Sequence, residues 1–142
     1  MLKLLVRWLH KLVSQQQIIG SDLSRYLTSS NHFSPEKRLV KPNAFMPRAN
    51  PENGQWETSV FRIYGLTDEE VWEIGESVVI VSGKTLYGRA AIRVEDVEKA
   101  GLSVMPDDNP PWHANIIGWP DEKSERKLFA ERLVGSAQLI LH

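Results

Sequence analysis

Glycine and proline divide the second half of this chain into short segments whose apolar residues change between strand and helix spacing. Residues 58–64 alternate as a strand does and stop at Gly65. Thr67 and Glu70 then match a capping box, which marks the start of a helix. The segments are too irregular for a doubly wound sheet. The pattern therefore predicts an α+β fold, with a small mixed or antiparallel sheet and helices packed on one side; a small α/β sandwich is the alternative.

Further elements can be assigned on the same grounds. Helices are expected at 23–28, from Thr67 to a break near Gly75, at 95–100 and from 121 to about 135. Strands are expected at 77–82, 86–94, 102–105, 113–118 and 139–141, the first of them as a buried strand because it is apolar and rich in β-branched residues. Residues 107–111 contain two consecutive prolines and are expected to form a loop.

Residues 2–16 have the pattern of an amphipathic helix, which would precede the α+β fold. Leucine, valine and tryptophan occupy one broad arc, and the basic residues with His10 and Ser14 occupy the other. Leu5, Trp8, Leu9 and Leu12 are the candidate partner-binding residues of that apolar arc. Three covers are possible: the chain's own core, a protein partner or second copy, and, less favoured, an anionic membrane surface. The segment is too short and too charged to span a bilayer. It also lacks the continuous apolar stretch and the small-residue cleavage site of a secretory signal, so the cytoplasm is the default location.

Composition limits the possible classes of protein. The length of 142 residues predicts a single domain over 1–142, and the 42% hydrophobic and 25% charged fractions are those of an ordinary globular chain. The chain has no cysteine, which excludes disulfides, thiolate nucleophiles and zinc–thiolate sites.

The net charge of −1 is a cancellation between two parts of the chain. Residues 1–48 hold eight basic and two acidic side chains, whereas residues 49–142 hold nine basic and sixteen acidic ones. We therefore divide the domain into a basic arm of helix and loop, residues 1–57, and an α+β body, residues 58–142. The arm is expected to meet an anionic partner or the chain's own acidic body.

The segment 29–57 is a long polar connection with four prolines and several aromatic residues, some of which are expected to pack. Its basic and aromatic residues between 32 and 48 could contact nucleic acid, but the chain's isoelectric point of about 6.4 does not favour that.

Familiar catalytic motifs are absent from the sequence. Gly83, Lys84 and Thr85 resemble the end of a phosphate-binding P-loop, but Val78 stands where that motif needs its first glycine. None of the serines lies in a nucleophile-elbow pattern, so the sequence gives no support for a serine hydrolase. The remaining chemistry belongs to histidine, arginine and carboxylates.

The candidate catalytic residues are His32, His113, Arg62 and Arg89. A histidine would act as general acid or base, and arginines would hold an anion; Arg62 and Arg89 stand out because they fall inside predicted strands. The alternative to an anion-binding role is that these two arginines lie on a solvated face of the sheet or pair with Glu57 or Glu73. The candidate substrate-binding residues are Arg38, Lys41 and Asn115. The two histidines with Asp107 or Asp108 could form a zinc site, but their spacing does not demand it, and we expect no metal and no cofactor.

Two hypotheses about function follow. The first is a small intracellular interaction or accessory protein that binds a protein partner or a second copy through its N-terminal helix. The alternative is an enzyme or ligand-binding domain that acts on a phosphate-bearing substrate, a nucleotide or RNA. A component of a toxin–antitoxin or anti-phage system would also fit the size of the chain, and whether the protein is an enzyme stays open.

Overall fold

The structure is a computed structural model, and it describes residues 22–142. The described part contains nine strands, three α-helices and two single-turn 3-10 helices, at Ser30–His32 and Pro42–Ala44. The strands are β1 (Asp22–Leu27), β2 (Phe33–Ser34), β3 (Leu39–Val40), β4 (Arg48–Ala49), β5 (Trp56–Arg62), β6 (Gly88–Arg93), β7 (Ser103–Pro106), β8 (His113–Ile117) and β9 (Gln138–Leu141). The helices are α1 (Asp68–Ser82), α2 (Val94–Lys99) and α3 (Lys123–Ser136).

An antiparallel sheet forms the centre of the fold, in the order β7-β8-β5-β1-β6-β9, with β4 paired to β5 beyond that path. Strand β1 lies between β5 and β6, where Leu23 pairs with Arg62 on one side and with Ile92 on the other. A strand in the middle of a sheet cannot belong to a separate arm. The folded body therefore includes residues 22–57, and our boundary between 57 and 58 does not divide the described part of the chain.

Both faces of the sheet carry an apolar cluster. Successive residues of a strand point to opposite faces, so Leu27 joins the larger cluster and its neighbour Tyr26 joins the smaller one. The 29–49 segment, α2 and α3 complete the larger cluster, through residues such as Phe45, Val97 and Leu133. Helix α1 completes the smaller one. The fold is α+β with an antiparallel sheet, as predicted, but its helices pack on both sides rather than one.

Two predicted elements have the wrong type. The segment expected to be a helix at 23–28 is strand β1, and the expected strand at 77–82 is the second half of helix α1. Ile80 and Val81 of that half are 79% and 89% exposed, so the apolar run is not buried as the prediction required.

Helix α1 also continues through the break expected near Gly75. Gly75 is buried where the helix crosses Tyr26, and a Cβ placed on Gly75 would lie 2.6 Å from Cε1 of that ring. The glycine is thus a point of close approach, which allows the helix to pack directly on the sheet.

Other expectations agree with the structure. The capping box of Thr67 and Glu70 is formed at the start of α1, and Gly83 ends the helix in the left-handed conformation. Strands are present near 58–64, 86–94, 102–105, 113–118 and 139–141, and helices near 95–100 and 121–135. Within the 29–57 segment, Phe33 and Phe45 are buried in the larger cluster. The amphipathic helix expected at 2–16 lies outside the described residues.

Within residues 22–142, no helix has the length and apolar character needed to cross a bilayer.

Candidate functional site

Strands β1 and β5 diverge and leave a cleft between them. Their register joins them at Leu23–Arg62 and Ser24–Phe61, while β1 follows β6 over its whole length. Beyond the divergence the Arg25 side chain bridges the gap, since its Nε donates to the Ala44 carbonyl at 2.7 Å and its Nη1 donates to the Ser59 carbonyl at 2.9 Å. The cleft has a volume of about 1010 Å³, which is large enough for a nucleotide-sized ligand.

Basic side chains contribute much of the lining of this cleft. Arg25, Arg48 and Lys84 lie on its walls together with His32, against two acidic residues, Glu52 and Glu57. Neutral hydrogen-bonding side chains complete the polar lining: Thr28, Ser29, Asn31, Asn43, Asn50, Ser82 and Asn115. Tyr26 and Phe61 are part of the lining as well, although both are largely buried in the smaller cluster. The combination of cations, amides and hydroxyls suits an anionic ligand.

The cations in the cleft act on one another. Burial and the charge of Arg48 lower the pKa of Arg25 to about 10. Burial, followed by the charges of Arg25, Lys84 and Arg48, lowers the pKa of His32 to about 4. The His32 Nδ1 accepts a hydrogen bond from the Thr28 N–H at 3.2 Å, which requires an unprotonated nitrogen. His32 is therefore neutral at pH 7, and further positive charge is unfavourable at this position.

A hydrogen-bonded triad of Ser59, His113 and Asp107 lies beside the cleft. The Ser59 Oγ is 2.6 Å from the His113 Nε2, and the His113 Nδ1 is 2.7 Å from the Asp107 Oδ1. Ser59 is on β5 and His113 on the neighbouring β8, while Asp107 follows the end of β7. Ser59 lines the cleft and so does Asn115, whereas His113 and Asp107 lie outside its lining, so the triad meets the cleft at the serine.

The charge of Asp107 assigns the protons in this triad. Partial desolvation opposes ionisation, but hydrogen bonds from His113, the Asn109 N–H and Asn115 outweigh it, and the pKa of Asp107 is lowered. An ionised carboxylate only accepts hydrogen bonds, so the His113 Nδ1 donates to it. In a neutral imidazole the Nε2 then carries the lone pair and accepts the hydrogen bond of the Ser59 hydroxyl.

Several contacts fix the orientation of Asp107 and His113. The Asn115 Nδ2 donates to the Asp107 Oδ2 at 3.2 Å, and the Asn109 N–H donates to the Oδ1 at 3.1 Å. The His113 ring meets the Phe61 ring edge-on, with centroids 5.3 Å apart. Both members are thus held from more than one side, which is what a preorganised site requires.

The loop between β7 and β8 is tied to β5 by Arg62. The buried Arg62 side chain forms an ion pair with Asp108, and the Arg62 backbone N–H donates to the Trp112 carbonyl at 2.8 Å. Asp108 and Trp112 both have positive backbone φ values, of 55° and 69°, which residues other than glycine rarely adopt. The loop that presents Asp107 therefore has a strained backbone, held in place from β5.

The predicted site residues divide into two groups. His32 and Asn115 line the cleft, and His113 and Arg62 lie in or behind the triad. Arg89 is instead buried on the face below α1, with its guanidinium 5.8 Å from the centroid of the Trp72 ring.

The predicted substrate-binding cations lie elsewhere. Arg38 and Lys41 are exposed and do not line the cleft, and the cations found there are Arg25, Arg48 and Lys84. The partner-binding candidates Leu5, Trp8, Leu9 and Leu12 lie outside the described residues.

Ser59 and the triad role of Asp107 were missed by sequence reasoning. Ser59 occupies an ordinary outward position in an alternating strand, 54 residues from His113. The usable signal was the cluster of Asp107, Asn109, His113 and Asn115, whose polar side chains flank one short loop and strand.

Within residues 22–142, no group of three or more histidine, aspartate or glutamate side chains is placed to hold a metal ion. The chain matches no protein-family model, no curated protein and no solved structure. Its function must therefore be inferred from the cleft and the triad themselves.

Proposed function

We propose that the cleft between β1 and β5 binds a phosphate-bearing ligand of the nucleotide or RNA type. The observation that carries the proposal is the presence of Arg25, Arg48 and Lys84 on the walls of one cleft of about 1010 Å³. Phosphate oxygens would accept charge-assisted hydrogen bonds from these side chains, and such bonds are about twice as strong as neutral ones. A nucleotide ligand is also in keeping with the cytoplasmic location that we expect.

The lining of the cleft supports a nucleotide over a bare anion. Asn31 and Asn43 present amides that can bond to a base edge or a ribose, and Tyr26 and Phe61 belong to the same lining. Of the two acidic residues, Glu57 accepts a hydrogen bond from the Asn50 Nδ2 at 2.9 Å, so its charge is partly engaged.

Calorimetric titration tests this proposal with three probes: inorganic phosphate, a nucleoside triphosphate and a short single-stranded RNA. The variant combines Arg48→Gln and Lys84→Gln, because both side chains are exposed and line the cleft. We expect at least a tenfold loss of affinity, which corresponds to about 1.4 kcal/mol. Wild-type affinity should fall as salt is added.

The matched control combines Lys123→Gln and Lys127→Gln. It makes the same change of net charge on helix α3, away from the cleft lining. Full binding by this control and weak binding by the cleft variant support the proposal. Equal losses in both variants, or no heat with any of the three probes, would exclude it.

A second candidate function is assembly through the segment 2–16, and the exposed Ile80 and Val81 at the end of α1 favour an interaction role. Deletion of residues 1–16 should abolish self-association or partner binding and leave the body folded, as measured by light scattering and circular dichroism. If the deletion unfolds the protein, the segment belongs to the core and this function is excluded.

A further inference from the structure

We propose that Ser59 is a nucleophile activated by His113, that Asp107 positions His113, and that the site hydrolyses carboxylic esters. The inference stands on the Ser59–His113–Asp107 geometry, in which hydrogen bonds of 2.6 and 2.7 Å connect a hydroxyl, an imidazole and a carboxylate in series. Nucleophilic serine catalysis needs this series, and it is recognised by geometry and not by sequence order.

The three side chains do not need one another for structural reasons. Ser59 and Asp107 are exposed and water could satisfy their hydrogen-bonding groups, so burial does not force them to pair. The loop that holds Asp107 contains two residues of positive φ and an anchor to Arg62. A strained and anchored loop therefore fixes the position of Asp107, although this carboxylate is exposed. Backbone strain of this kind is typical of functional sites.

The orientation of the triad has the direction that catalysis requires. The Asp107 carboxylate accepts the Nδ1 proton of His113, which leaves the Nε2 lone pair aimed at the Ser59 hydroxyl. Asp107 makes no contact with the nucleophile and is a positioning residue. Arg25 helps to hold β5 at the serine, because its Nη1 donates to the Ser59 backbone carbonyl at 2.9 Å.

The reaction proceeds in two balanced steps. Ser59 Oγ attacks the ester carbonyl carbon while its proton passes to His113 Nε2; the C–O bond then breaks, and the alcohol leaves with that proton. A water molecule next gives one proton to His113 and attacks the acyl-serine. The Oγ–acyl bond breaks, Ser59 regains its proton from His113, and the carboxylic acid is released. The step needs water alone as co-reactant, and no oxidation or reduction takes place.

The position of Ser59 on the cleft wall indicates the kind of ester. If the proposed phosphate-binding function is correct, Arg48 and Lys84 hold an anionic group of the same molecule whose acyl bond lies at Ser59. The substrate class is then a carboxylic ester that carries a phosphate. This refinement depends on the proposed function, whereas the nucleophilic role of Ser59 does not.

A fluorophosphonate provides a direct test of Ser59. Attack by the Oγ forms an O–P bond and expels fluoride, with the proton taken by His113, so the adduct can be located by peptide mass spectrometry. We expect labelling at Ser59 in the wild type, none in Ser59→Ala, and at least hundredfold slower labelling in His113→Ala and Asp107→Asn. Ser77→Ala is the matched control, since Ser77 is an exposed serine on α1 that bonds to its own helix.

Three further measurements keep the test decisive. Circular dichroism must show a folded protein for each variant, and Asp107→Asn is nearly isosteric, so it serves if His113→Ala unfolds. The labelling rate of the wild type should depend on pH, and the folded His113→Ala and Asp107→Asn variants should lose that dependence. A hydrogen bond with a purely structural role would leave the pH profile unchanged in these variants. The ester p-nitrophenyl acetate should be hydrolysed by the wild type and the control.

The results separate this inference from the proposed function. Labelling that persists in the Arg48→Gln, Lys84→Gln variant supports the triad even if no phosphate ligand binds. Absence of an adduct in the wild type, or an adduct that forms equally fast in a folded His113→Ala or Asp107→Asn variant, overturns the inference.

Discussion

Arg62, at the end of strand β5, forms an ion pair with Asp108 in the loop that presents Asp107, the carboxylate hydrogen-bonded to His113. The Arg62 side chain is 2% exposed and that of Asp108 is 20% exposed. A buried cation without its partner keeps its desolvation cost, so the contact is needed once the arginine is buried. The pair therefore couples the core of the sheet to the geometry of the triad.

Asp108→Asn should destabilise the protein and also disturb the loop. Loss of the charge leaves Arg62 buried beside a neutral amide, and removal of one partner of a buried pair costs about 3 kcal/mol. Chemical denaturation measures the free energy of unfolding. The control is Glu95→Gln, which removes the exposed partner of Arg93 and should cost at most about 1 kcal/mol. Equal effects of the two substitutions would contradict the anchoring role of Arg62.

Gly75→Ala and Gly135→Ala should have opposite effects, although both place alanine inside a helix. A Cβ on Gly75 would lie 2.6 Å from the Tyr26 ring, whereas a Cβ on Gly135 would meet no atom within 4 Å. Overpacking costs about 1–3 kcal/mol, which exceeds the gain in helix propensity. In helix α3 only the gain remains, at about 0.5–1 kcal/mol. Thermal unfolding of both variants distinguishes these signs, and destabilisation by Gly135→Ala would contradict this account.

The α+β class of the fold was predictable because capping residues and apolar spacing, which are local features of the sequence, mark most of the helices and strands. Thr67 and Glu70 marked the start of α1, and the alternation after Thr58 marked β5. Strand β1 was misread because Leu23, Tyr26 and Leu27 fit helical spacing as well as an alternating strand. Only the presence of two clusters on opposite faces separates these patterns, since Tyr26 packs in one cluster and Leu27 in the other.

The candidate site depends on topology, which the sequence does not reveal locally. Ser59 meets His113 because β5 pairs with β8, where Ser59 lies opposite Asn115 and Phe61 opposite His113. Asp107 joins them because β7 also pairs with β8 and the chain returns through a short loop. His113 and Asn115 could be selected as polar residues on a strand, but no spacing rule connects them to a serine more than fifty residues earlier.

Thr58→Val should destabilise the floor of the cleft through one hydrogen bond. The buried Thr58 Oγ1 donates to the Phe45 carbonyl at 2.7 Å and ties the 42–45 turn to β5. Valine keeps the shape but leaves that carbonyl without this donor, at a cost of about 1–3 kcal/mol. Thr58→Ser keeps the hydroxyl and loses one methyl group, so it should retain the bond. Denaturant midpoints that place valine above serine in stability would refute this role.

His32 should make the protein less stable as the pH falls from about 6.5 to about 4. Burial and the charges of Arg25, Lys84 and Arg48 lower its pKa to about 4 in the folded state, from a reference value of 6.5. Between these values the unfolded chain binds a proton that the folded chain does not, so acid favours unfolding there, and below about pH 4 this loss is complete. His32→Asn keeps an acceptor for the Thr28 N–H and cannot titrate in this range. Denaturation measured at several pH values gives the free energy of unfolding as a function of pH. Its slope between about pH 4 and 6.5 should be shallower for His32→Asn than for the wild type. Identical slopes would show that burial and the basic neighbours do not lower the pKa of His32.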